Sequence, residues 1–167
     1  MANTHASSAA AVAPALHIRV DDLRNAQVIA LLEEHMRDMR SVSPPGSCHA
    51  LDLDGLRKPA VTFWSIWDGE QLAGTGALMA LDATHAEIKS MRTSRTHLRK
   101  GIARIMLEHI LAEAKKRGLR RLSLETGSQP YFDPARRLYA AFGFAECTPF
   151  GDYVLDPNSV FMTREIS

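Results

Sequence analysis

The chain has 167 residues, enough for one domain that buries its own core without a disulfide or metal staple. Apolar residues make up 46% and charged residues 23%, close to the average for a soluble globular protein. Lys plus Arg is 20 and Asp plus Glu is 19, so the formal charge is +1, which argues against a dedicated nucleic-acid binder and against a polybasic membrane clamp.

Met1 to Ala15 is rich in Ala and Ser, with no basic start and no Leu-rich centre. It reads as a disordered tail ahead of a domain over residues 16–167. His17 to Val20 alternates as a first strand. Asp21 and Asp22 offer an N-cap and first-turn negative charge to a helix running through Arg40. Ser41 to Gly46, with Pro44 and Pro45, must be loop, and Asp52 to Leu56 suggests a short helix. Val61 to Trp67 is β-branched and aromatic. Asp68-Gly69 is a hairpin signal, and Gln71 to Leu81 is the partner strand. Gly74 and Gly76 inside that strand predict a bulge or a close backbone approach. A further strand runs from Ala86 to Thr93, completing an antiparallel meander.

The pattern then changes. Ile102, Ala103, Met106, Leu107, Ile110, Leu111 and Ala114 recur at helical period, and Gly118 fits a helix C-terminus. Arg121 to Thr126 alternates as a strand. Asp133-Pro134 opens a helix that ends at Gly143, and Phe144 onward and Ser159 to Thr163 read as final strands. The fold class is therefore α+β.

Cys48 and Cys147 are too few for a disulfide framework and fit free thiols in a reducing cytosol. No apolar run approaches the roughly 20 residues that cross a bilayer. No His-Glu-x-x-His, Cys-x-x-Cys pair, Walker A loop or Gly-x-Ser-x-Gly elbow occurs, so no metal is predicted.

The informative stretch is Glu87 to Ala103. A strand leads into a basic loop, then Gly101, then a helix. Leu98, Arg99 and Lys100 supply no side-chain cap, so the first amides of that helix need partners from elsewhere. An anion could provide them, aided by the helix dipole, with Arg95, Arg99, Lys100 and Arg104 adding positive charge. A tight loop with a solvated basic rim is the plainer reading of the same residues.

Leu98-Arg99-Lys100-Gly101-Ile102-Ala103 resembles motif A of the GNAT (Gcn5-related N-acetyltransferase) superfamily, Gln/Arg-x-x-Gly-x-Gly/Ala, with Leu98 in place of the first polar residue. Leu138-Tyr139-Ala140-Ala141-Phe142-Gly143-Phe144 is similar to the family's Leu-Tyr-x-x-x-Gly-Phe motif B, and Phe132 stands where an Asn is often found. The resemblance implies a mostly antiparallel mixed sheet whose fourth and fifth strands splay apart to admit the pantetheine arm of acetyl-CoA. The backbone of Met91, Arg92 and Thr93 would pair with that arm. The amides of Arg99, Lys100, Gly101, Ile102, Ala103 and Arg104 would hold its diphosphate.

The resemblance further implies direct transfer of acetyl from the thioester to a small amine, with Tyr139 as proton donor to the departing sulfur and a Met91 amide at the oxyanion. Glu87 occupies the base position of some members, although it could simply pair with a neighbouring charge. His85, His97 and Glu125 are further candidates for the base. Met36, Met39, His49, Trp64 and Tyr153 are candidates for the acceptor site, with Asp52 and Asp54 to attract a cation and Ser41 to Leu51 as a lid. A homodimer is common among relatives. An acyl-CoA-binding sensor or a protein N-acetyltransferase are the competing expectations.

Overall fold

A computed structural model describes residues 15–167. The expected tail, Met1 to Ala15, lies almost wholly outside the described residues. Seven strands form one sheet, β1 (Leu16–Val20), β2 (Val61–Asp68), β3 (Gln71–Ala80), β4 (His85–Thr93), β5 (Arg121–Gly127), β6 (Ala145–Cys147) and β7 (Ser159–Glu165). Their order across the sheet is β1-β2-β3-β4-β5-β7-β6. All neighbours are antiparallel except β4 and β5, which run parallel. The α+β expectation and the meander are borne out.

Four helices cover the two faces: α1 (Ala26–Val42), α2 (Leu53–Leu56), α3 (Ile102–Lys116) and α4 (Asp133–Ala141). Side chains alternate across each strand, so one sheet supplies two cores. Leu78, Ile88, Leu122 and Leu124 pack against Met106, Leu107 and Ile110 of α3 and Tyr139 of α4. Phe63, Trp67, Leu72 and Ala77 pack on the other face against Val28, Leu31 and Leu32 of α1 and Leu56 of α2.

The first helix starts later than expected. Asp21 and Asp22 do not cap it; their carboxylates accept from the amides of Leu23 and Arg24 and hold a turn in which Leu23 has φ +64°. Asp21 also takes the Ser65 hydroxyl at 2.7 Å. Asn25 is the N-cap, accepting from the Gln27 amide. Asp52 caps α2, where the short helix was expected.

Gly76 shows why β3 carries small residues. A Cβ there would stand 2.7 Å from Met106 Cγ and 3.0 Å from Met91 Sδ, so α3 lies directly on the backbone. The register slips at the same point: Thr75 pairs with Arg92 but Ala77 with Lys89. β4 takes up the extra residue with Ser90 at φ +55°, and Thr75 Oγ1 bonds the Ser90 carbonyl at 2.9 Å. A bulge bends its strand, and here it lies where β4 leaves β5. Gly76→Val should lower the unfolding free energy by about 1–3 kcal/mol through overpacking, read as a lower urea midpoint. An unchanged midpoint would mean that α3 is not seated on β3.

Candidate active site

β4 and β5 hold together only at their beginnings. His85, Ala86 and Glu87 pair with Arg121, Leu122 and Ser123, and the later residues of both strands have no partner across the gap. The edge from Ile88 to Thr93 therefore presents backbone groups to an open wedge. Unpaired backbone groups at depth need a partner, so the gap suits an extended ligand that pairs as a strand does.

The start of α3 lies close to this wedge. Gly101 is its N-cap, with φ +77°, and no side chain caps the helix. Among the described residues, the amides of Leu98, Arg99, Lys100, Gly101, Ile102, Ala103 and Arg104 donate to no side chain and to no backbone carbonyl. Arg99 also lies at positive φ, +60°. Left-handed residues interleaved with ordinary ones turn successive amides toward one side and make an anion nest. A Cβ at Gly101 would meet nothing within 4 Å, so the glycine answers to backbone conformation and to open space outside the chain.

Two cavities meet in the wedge. The first, about 280 Å³, opens on the α1 face, and the second, about 570 Å³, opens toward the start of α3. They share Met91, Arg92, Tyr131, Pro134, Ala135 and Tyr139. Tyr139 stands at this junction, 7% exposed, with Phe144 edge-on at 5.8 Å. Its hydroxyl bonds no protein group, and burial raises its pKa above the ordinary phenol value, so it stays protonated at neutral pH.

Polar groups gather in the first cavity. Lys89 Nζ donates to Glu87 Oε2 at 2.9 Å and to the Tyr153 hydroxyl at 3.2 Å, and Tyr153 donates to the same Oε2 at 2.6 Å. The Tyr153 ring is wedged among His49, Phe150 and Phe161. Glu125, on β5, meets no cation within ion-pair distance. Burial, reinforced by the Glu87 and Asp156 charges, pushes its pKa up to about 7 against the lowering effect of the Ser159 hydroxyl and of Lys89. His35, on α1, is pushed down to about 4 by burial and by Arg92, so it is neutral. Ser43, Ser47, Cys48, His49 and Ala50 form the rim, tied to the far side by Ser47 Oγ donating to Asp156 at 2.6 Å.

Several expected residues lie elsewhere. His97 is 2% exposed and bonded through both ring nitrogens, to Thr96 and Asp68, away from either cavity. His85 sits at the closed end of the wedge, against the Ser123 hydroxyl at 2.6 Å. Trp64 is 2% exposed in the α3-side core. Met36 does not line the first cavity, whereas Met39, His49 and Tyr153 do. Asp52 is spent on capping α2, and Asp54 is exposed beside Arg57. Arg95 lines the second cavity, but Glu34 at 2.6 Å and Asp38 hold it and offset its charge. The Arg92 guanidinium is held by the same two acids and donates to the Tyr131 hydroxyl at 3.3 Å, so its charge is already paired where it lines the wedge. Arg104 lies over the Phe142 ring at 5.2 Å.

Lys89 escaped the sequence reading. The strand period was the available signal: residues 87 and 89 share a face of β4, so Lys89 stands beside the Glu87 carboxylate.

The comparisons with known proteins agree with this geometry. The acetyltransferase (GNAT) family model matches residues 28–144. The uncharacterized N-acetyltransferase YsnE of Bacillus subtilis is 59% identical over 90% of this chain and 100% of its own length. YedL of Escherichia coli, also an uncharacterized N-acetyltransferase, is 54% identical over 87% of this chain and 92% of its own. The fold matches that of a Bacillus subtilis acetyltransferase solved with CoA, with a TM-score of 0.64 at 17% identity over 92% of this chain and 100% of that one. The chain belongs to the acetyltransferase (GNAT) family, whose members are acetyl-CoA-dependent acyltransferases.

Proposed function

We propose that this enzyme transfers the acetyl group of acetyl-CoA to the amine of a small molecule by direct attack within a ternary complex. The observation that carries the reading is the uncapped, outward-open start of α3 beside the parting of β4 and β5. The amides from Arg99 to Arg104 fit a diphosphate, and the free edge of Met91 to Thr93 fits the amide-bearing pantetheine arm. Acetyl-CoA supplies a thioester whose carbonyl carbon an unprotonated amine can attack.

The cavity on the α1 face supports a small acceptor, because its rim of residues 43–50 and Tyr153 leaves about 280 Å³. Glu125 takes the proton of the attacking amine. We assign the base to Glu125 rather than to Glu87, because Lys89 and Tyr153 already occupy Glu87 Oε2, whereas a carboxylate with a pKa of about 7 is matched to proton transfer at neutral pH. Glu87 and Lys89 instead fix Tyr153 and the cavity wall. Tyr139, at the junction of the two cavities, gives its proton to the departing sulfur. The Met91 amide, on the unpaired edge, is placed to donate to the developing oxyanion.

Gly101→Val tests the cradle. Its β-branched side chain is strained at φ +77° and projects into the space assigned to the diphosphate. CoA affinity measured by calorimetry should fall by about 1–3 kcal/mol, roughly 5- to 150-fold. Wild-type affinity in the variant would remove the cradle from the account.

A further inference from the structure

The loop that carries the cradle has an internal anchor, and we propose that His97, held by Asp68, is a positioning residue for binding of the CoA diphosphate. The inference rests on the acetyl-CoA reading above and assigns the residue that gives the cradle its shape.

Between the end of β4 and Gly101 the chain makes one 3-10 turn, Arg95–His97. At its start Arg95 is tied from outside to Glu34 and Asp38, but after the turn Leu98 is 55% exposed and apolar, and Arg99 and Lys100 are exposed. His97 alone in this turn is buried, at 2%. Its Nε2 lies 2.9 Å from Asp68 Oδ2, and its Nδ1 lies 2.7 Å from Thr96 Oγ1, which is itself 3.0 Å from Ser94 Oγ.

The partners set the donor directions. A carboxylate only accepts, so Nε2 carries a hydrogen. With a neutral ring, Nδ1 then accepts from Thr96, and Thr96 accepts from Ser94. The chain of bonds runs one way and ends on Asp68, which is paired with Leu16 of β1 and Gln71 of β3 and so is rooted in the sheet. The loop is tied again where the Ser94 amide donates to the Ala73 carbonyl at 2.8 Å. One residue separates His97 from Arg99, the first left-handed position of the cradle. A loop whose amides must converge on an anion pays an ordering cost on binding, and a buried bond one residue away reduces it in advance. His97 touches neither cavity, so it acts through the loop and not on the acceptor.

The test is CoA binding by calorimetry, together with separate KM values for acetyl-CoA and for the acceptor. His97→Ala should weaken CoA about tenfold, the size that follows from losing a hydrogen bond to a charged group. The acceptor KM and the kcat at saturating acetyl-CoA should stay within about twofold of wild type. Asp68→Asn keeps an acceptor oxygen for Nε2–H and should recover most of the affinity, whereas Asp68→Leu should not. Thr96 is exposed, so Thr96→Val provides a variant that keeps the fold; removing the Nδ1 partner should weaken CoA about threefold.

Wild-type CoA affinity in folded His97→Ala and in Thr96→Val would overturn the proposal, as would a fall in kcat or a rise in acceptor KM matching the change in acetyl-CoA KM. If wild-type enzyme itself failed to bind CoA, the acetyl-CoA reading would fall first, which separates the two failures.

Discussion

Glu125→Gln is expected to lower kcat by about 10²- to 10⁴-fold, the range for loss of a general base, while the KM for acetyl-CoA changes little. The pH profile gives the sharper signature. A base acts in its deprotonated form, so wild-type kcat/KM should rise with pH and show an inflection at about 7, the value to which burial lifts Glu125. The amine's own titration contributes to both profiles, so the inflection that disappears in the variant belongs to Glu125. The buried Tyr139 phenol, lifted above its ordinary value, adds no alkaline limb near neutrality. If the variant keeps wild-type kcat, or keeps the inflection near 7, the base is another group.

Stability moves the opposite way in the same variant. The folded pKa of Glu125 exceeds its unfolded value, so the folded state binds more protons between about pH 4.5 and 7, and stability falls as pH rises through that window. Above it, wild type carries the cost of a buried charge that Gln removes. Glu125→Gln should therefore be more stable by about 1–3 kcal/mol at pH 8 and show little gain at pH 4. Thermal unfolding at the two pH values reads this directly, and a variant less stable at pH 8 contradicts the environment assigned to Glu125.

Tyr139→Phe carries the second large effect. It deletes one hydroxyl that bonds no protein group, so folding should be nearly indifferent and CoA affinity should stay within a few-fold. Turnover should fall about 10²-fold or more, because the departing sulfur loses its proton donor. Thiol release at saturating acetyl-CoA measures it. Unchanged turnover would return Tyr139 to a packing role beside Phe144.

What was legible in the sequence was local. Asp68-Gly69 makes its turn, the apolar period of Ile102 to Ala114 makes its helix, and Gly101 after Leu98, Arg99 and Lys100 leaves that helix uncapped. Each depends on neighbours a few residues away, where backbone sterics and hydrogen bonding decide. Partners supplied from far along the chain were not legible. Lys89 reaches Tyr153 across 64 positions. Arg92 and Arg95 are taken by Glu34 and Asp38 of α1, and His97 by Asp68 of β2. Asp21 shows the same limit at short range: a plausible helix cap on spacing, it is drawn instead to Ser65, which the sheet places beside it. Charge and hydrogen-bond assignments of this kind follow from topology, and topology follows from packing the whole sheet.

The most direct test of the central claim is an amide NMR titration of the enzyme with CoA, and in parallel with pantetheine, which lacks the diphosphate. The account predicts that CoA shifts the amides of Gly101, Ile102, Ala103 and Arg104 together with those of Met91 to Thr93, and that pantetheine shifts only the latter group. Saturation with CoA that leaves residues 101–104 unmoved would contradict it.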